Sequence, residues 1–121
     1  MKQKGLYENT VVVLVSDHGE SFGEHEEWTH GYFIYDTTLL VPLIIKPIDK
    51  GLAGRSVAEQ VSLVDVVPTV LQLLDLPRPD ELQGQGMLGL MLGKSRDWRG
   101  LAYCESYYPL QFGWSPLVGI R

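Results

Sequence analysis

Residues 11 to 15, VVVLV, are apolar without a break and mostly β-branched. Because polar residues do not alternate with them, they predict a strand buried on both faces, as at the centre of a parallel sheet covered by helices. Ser16, Asp17 and Gly19 end the run. Asp17 and His18 therefore fall just past the carboxyl end of the strand, where ligand crevices of open α/β sheets form. Residues 19 to 32 carry Gly19, Gly23 and Gly31 as punctuation and are expected to form a loop. YFIYDTTLL predicts a short helical turn, and VPLIIKP a second strand from Val41 to Lys46, closed by Pro47. SLVDVVPTVLQLLDL is the clearest helix: Asp65 is placed to cap it and Pro68 falls in its first turn. Its apolar face is expected to hold Val66, Val67, Val70, Leu71 and Leu74, with Pro77 and Pro79 stopping it. The glycine-rich GQGMLGLMLGKSRDWRG has room for one short helix. LAYCES predicts a third strand and SPLVGIR a fourth.

These elements bound the fold to one α/β domain at most in 121 residues. With 45% apolar and 21% charged residues the chain is globular in character. A net charge of -5 with no basic stripe argues against a nucleic-acid partner. No apolar run approaches the ~18 residues of a transmembrane helix, and MKQKGLYENT lacks the apolar core of a signal peptide. The single Cys104 cannot form an internal disulfide and is expected to be a small packing residue.

The stretch VSDHGESFGEHEEWTHG, residues 15 to 31, changes the picture. It contains all 3 histidines of the chain, His18, His25 and His30, among the carboxylates Asp17, Glu20, Glu24, Glu26 and Glu27. A carboxylate and an imidazole side by side at a strand end form a plausible pair of metal ligands. HEEWTH is not the zinc-protease HExxH, because residues five apart lie roughly 140° apart on a helix. Glu20 is a candidate to orient a metal-bound imidazole, with a solvated carboxylate as the plain alternative. Trp28 and Tyr32 either line a substrate pocket or anchor the loop. Tyr107, Tyr108, Phe112 and Trp114 are expected to pack together, and Lys46 and Arg55 to be surface charges.

In order, SDHGE, GEHEEWTHG, YDTTLLVPLIIKP and SLVDVVPTVLQLLDL, ending in ESYYPLQFGWSPLVGIR, resemble the C-terminal part of a sulfatase, within the alkaline-phosphatase-like superfamily. The resemblance implies a fragment of a three-layer α/β sandwich with a mostly parallel central sheet. It implies metal-ligand roles for Asp17 and His18, with His18 standing where many sulfatases have Asn. His25 matches the histidine of the family's glycine-flanked loop, which implies a catalytic role beside His30 at the substrate's oxygens and leaving group. His30 matches a lysine that touches the sulfate oxygens, which implies an anion contact or a general acid for the leaving alcohol. In a two-metal phosphatase relative, His30 would instead hold a second metal.

The departures are as informative. The family's nucleophile lies in a C/S-x-P-S/T-R setting, and no such segment occurs in this sequence; Cys104, in AYCES, lacks the proline and arginine. Residues 1–121 are accordingly expected to be the C-terminal portion of a sulfatase-like catalytic domain, inactive by itself. The expected cofactor is a divalent metal: Ca²⁺ first, with Mn²⁺ or Zn²⁺ favoured by the extra imidazole nitrogen. The expected parent activity is hydrolysis of sulfate monoesters of small molecules or carbohydrates. A phosphodiesterase, phosphonate hydrolase or phosphoglycerol transferase on the same scaffold is the alternative chemistry. A truncated, non-catalytic remnant that self-associates through exposed sheet edges is the alternative class. A periplasmic or extracellular location is a family habit only.

Overall fold

The computed structural model describes residues 1–94 and 96–121. Among the described residues, six short strands and three α-helices follow one another: β1 (Val12–Val15), β2 (Ser21–Phe22), β3 (Trp28–Thr29), α1 (Asp36–Leu39), β4 (Leu43–Lys46), α2 (Val66–Leu73), α3 (Leu88–Met91), β5 (Tyr103–Ser106) and β6 (Leu117–Ile120). They pair as β1 with β4, β2 with β3, and β5 with β6. The β2–β3 and β5–β6 pairs are antiparallel. Two contact-dense units result: residues 1–13 with 44–100, and residues 14–43 with 101–121. No helix among the described residues is long and apolar enough to cross a membrane.

In the first unit the expected strands and helices form, but burial follows another logic. The only buried large hydrophobic side chains among the described residues are Leu52, Met87 and Leu90. Of the expected aliphatic stripe on α2, Val66, Val70 and Leu71 are half-buried, and the tightest packing lies elsewhere. Val67 and Leu74 are exposed, whereas Pro68 and Thr69 are fully buried. The reason is a polar network. Thr69 Oγ1 donates to the Asp65 carbonyl at 2.6 Å and accepts from the Met87 N–H at 2.9 Å. Nor does the Asp65 side chain cap α2. A 3₁₀ turn, Leu63–Asp65, precedes that helix, and Ser62 and Asp65 form a capping box around it. Asp65 Oδ2 accepts from Ser62 N (2.8 Å) and Oδ1 from Gln85 N (2.7 Å), so a buried carboxylate staples the α2 entry to the α3 approach. Lys46 is not a free surface charge either. Its Nζ donates to the carbonyls of Tyr7 (2.6 Å), Glu8 (3.2 Å) and Thr10 (2.9 Å) and lies 4.7 Å from the Tyr7 ring centroid.

The second unit carries the histidine stretch. β1 forms where its β-branched run predicts, yet Leu14 is 55% and Val15 39% exposed, so burial on both faces does not hold in this chain. The expected loop is a tight hairpin. Ser21 faces Thr29 and Phe22 faces Trp28 across it, with a 3₁₀ turn at Glu24–Glu26. Gly23 (φ 110°) admits the turn, and His25 and Glu26 follow with positive φ. Ser21 is buried and its hydroxyl bonds Thr37 Oγ1 at 2.9 Å. Gly19 donates to the Thr38 carbonyl at 2.8 Å, and a Cβ on Gly19 would run into the Thr37 carbonyl oxygen. The backbone after β1 is thus laid directly against α1. In the same unit, β5 and β6 pair from Tyr103–Ile120 to Ser106–Leu117. Tyr32 and Phe33 join Tyr108, Phe112 and Trp114 in a cluster of stacked and edge-on rings; Tyr107, expected with them, is exposed and its hydroxyl reaches Glu105 instead.

Candidate functional site

The site grows from the end of β1. Ser16 Oγ donates to the His18 carbonyl at 2.7 Å, and His18 N donates to Asp17 Oδ1 at 3.1 Å. These short-range bonds curl residues 16–18 into a fixed turn, as serine and aspartate do at strand ends. His18 Nδ1 donates to the Gly19 carbonyl at 2.7 Å. That bond selects the tautomer and leaves the Nε2 lone pair as the ligating position. Asp17 Oδ2 stands 3.8 Å from this Nε2.

The β2–β3 hairpin then brings the chain back. It carries His30 to the His18 ring, centroid to centroid 4.4 Å and edge-on at 67°. His30 Nδ1 lies 3.3 Å from Glu20 Oε2. His18, Glu20 and His30 each present a ligand atom within 4.8 Å of the others, all on the exposed surface. The His18 pKa is raised. The bond to the Gly19 carbonyl contributes most, the Asp17 charge next, and Glu20 adds to both, while partial burial opposes them.

The sequence-derived candidates therefore separate. His18 and His30 meet, and Asp17 stands beside His18. His25 does not join them: held at φ 55°, its ring stacks flat on Tyr35 at 3.9 Å. Glu20, a candidate orienting carboxylate in the sequence, is the third member of the cluster. Trp28 is exposed, and its indole lies against Gly23. Sequence reasoning missed Glu27. It is buried, and its Oε1 accepts from the N–H groups of Tyr32 (2.8 Å) and Phe33 (3.1 Å). Its only sequence signal was membership of the acidic run, shared with the exposed Glu24 and Glu26.

An imidazole pair and a carboxylate at the end of a strand, with a carboxylate neighbour, can hold a divalent cation or meet an anionic ester. The model of the Sulfatase family matches residues 1–76. The chain belongs to the sulfatase family. Among curated sulfatases it is 37% identical to arylsulfatase K of Bos taurus over 89 residues, covering 73% of this chain and 16% of that protein. It is 31% identical to the N-acetylglucosamine-6-O-sulfatase of Bacteroides thetaiotaomicron over 100% of this chain and 22% of that one. Among solved structures, the phosphonate monoester hydrolase of Silicibacter pomeroyi superposes with a TM-score of 0.80 at 25% identity, over 99% of this chain and 26% of that one. A protein solved with its substrate D-glucosamine-2-N,6-O-disulfate superposes with a TM-score of 0.75 at 29% identity, over 99% of this chain and 25% of that one. This sulfatase-family chain thus has part of an alkaline-phosphatase-like fold of mixed helices and strands. It spans between 16% and 26% of the length of these four proteins.

Proposed function

We propose that this chain supplies the metal-proximal and leaving-group side of the active site of a metal-dependent sulfuric ester hydrolase. The observation that carries the reading is the meeting of His18, Glu20 and His30 at the end of β1. Asp17 and His18 would hold the metal. A donor set of carboxylate plus imidazole suits Mn²⁺ or Zn²⁺ better than Ca²⁺, which prefers oxygen. Such an ion, when bound, polarises the ester oxygens and stabilises the charge that develops on them. Glu20 fixes His30 through Nδ1 and so leaves Nε2 to donate a proton to the departing alcohol. His25, stacked on Tyr35, is given no step.

Residues 1–121 form the C-terminal portion of the catalytic domain in this reading. The nucleophile comes from sequence outside this chain, since no C/S-x-P-S/T-R segment occurs here. In the parent fold β1 is a central strand of a mostly parallel sheet, and the exposed Leu14 and Val15 support this by offering apolar surface for neighbours to cover. The substrate is a sulfated sugar or small sulfate ester. A second reading, a phosphonate or phosphate ester hydrolase, is favoured by the likeness to the phosphonate monoester hydrolase and by the imidazole of His18.

The test is a calorimetric anion titration of the Zn²⁺-loaded chain. Inorganic sulfate is expected to bind, and His30→Ala to abolish binding. Binding that survives His30→Ala refutes the assignment. Methylphosphonate binding more tightly than sulfate favours the second reading. The chain alone is expected to turn over neither aryl sulfates nor aryl phosphates.

A further inference from the structure

We infer that Glu27 is a positioning residue that holds His30 against His18. The inference rests on the reading of His30 as a working imidazole. Glu27 is 4% exposed, and a carboxylate leaves water only where hydrogen bonds replace it. Its Oε1 takes two, from the Tyr32 and Phe33 N–H groups. Its backbone takes two more: Gly23 N donates to the Glu27 carbonyl at 2.9 Å, and Glu27 N donates to the Glu24 carbonyl at 3.1 Å. One residue therefore closes the chain on both sides of the segment 28–31.

That segment needs holding. Gly31 N reaches the Trp28 carbonyl at a long 3.4 Å. Thr29 sits at φ 64° and Gly31 at φ 67°, and a β-branched residue in the left-handed region persists only where its surroundings impose it. His30 lies between these two residues, on the exposed side, and nothing in the turn itself fixes its ring. The Glu27 side chain backs onto Gly31, where a Cβ would come within 2.5 Å of Oε2. Oε2 is buried with no hydrogen-bond partner among the described residues. The useful oxygen is thus Oε1, and an amide can keep it.

The chemistry separates two substitutions. Glu27→Gln retains an acceptor oxygen for the Tyr32 and Phe33 N–H groups and places the NH₂ where Oε2 has no partner. Glu27→Leu keeps the approximate shape and removes the acceptor, stranding two N–H groups. The readout is the proton NOE between the His18 and His30 rings in the 121-residue chain, which needs neither metal nor turnover. It therefore stays informative if the hydrolase reading fails. The control is the hydrogen-exchange protection of the Gln85 and Met87 amides, held by Asp65 and Thr69 in the other unit.

Glu27→Gln is expected to keep the NOE. Glu27→Leu is expected to lose it while the Gln85 and Met87 amides stay protected. Persistence of the NOE in Glu27→Leu overturns the inference, as does its loss in Glu27→Gln. Loss of the NOE together with that protection in Glu27→Leu also overturns it, because Glu27 would then be a general stability element.

Discussion

Replacing Gly31 by alanine attacks the same turn from its other side. Gly31 has φ 67°, and a residue with a Cβ pays about 1–2 kcal/mol to stay in the left-handed region. The added Cβ would also stand 2.5 Å from Glu27 Oε2 and 3.2 Å from its Cδ, closer than real contacts allow. A flexible carboxylate on the surface would swing away at little cost. Glu27 cannot, because it is buried and bonded to Tyr32 N and Phe33 N. Yielding means breaking at least one bond to a charged acceptor, worth about 1.5–3 kcal/mol. The two terms together give about 2.5–5 kcal/mol, or roughly a hundredfold or more in the local opening equilibrium. Amide hydrogen exchange at Tyr32 and Phe33 reads that opening directly. Gly31→Ala is expected to accelerate exchange at both by about two orders of magnitude, with the amides of Gln85 and Met87 unchanged. An acceleration below about threefold, less than 1 kcal/mol, would refute the clamp.

Thr69→Val removes a hydroxyl that is completely buried and bonded on both sides. It strands the Met87 N–H and should lower stability in urea by about 2–3 kcal/mol. The raised His18 pKa means that the folded chain favours the imidazolium. Its contribution to stability is therefore present below about pH 6.5 and lost as pH rises through the folded value. Asp17→Asn should lower the His18 value in an NMR titration without removing the rise, since the Gly19 carbonyl is its larger cause. Lys46→Met should leave three carbonyls of residues 7–10 without their cation and speed proteolysis there.

Much of the architecture was legible because it rests on apolar runs and punctuation. VVLV, LIIK, YCES and LVGI all form strands, and DVVPTVLQLL holds α2, because β-branched runs and a proline in a first turn act locally. What was not legible is set by partners far along the chain. The β2–β3 hairpin has two residues per strand, too few for an alternating pattern to register. α2 packs most tightly through Thr69, with Val66 and Val70 only half-buried, because Met87 N, eighteen residues away, needs an acceptor. Within the site, the family pattern pointed to Asp17, His18, His25 and His30 as residues with chemistry to do. It could not divide them, because the division is made by the hairpin. That hairpin returns His30 to His18 and turns His25 onto Tyr35. Glu26 and Glu27 are adjacent and identical in sequence. The change from the 3₁₀ turn, where Glu26 sits at φ 61°, to extended backbone at Glu27 sends one into solvent and the other under the turn.

The central claim is that the end of β1 is a metal-binding locus built on His18. Calorimetric titration of the chain with Mn²⁺ and Zn²⁺ above the His18 pKa tests it most directly, comparing the wild type with His18→Ala and Asp17→Ala. The account predicts a single weak site in the wild type, abolished in His18→Ala and weakened in Asp17→Ala, because only part of a full ligand set is present. Binding that is unchanged in His18→Ala, or no binding by the wild type at all, would contradict it.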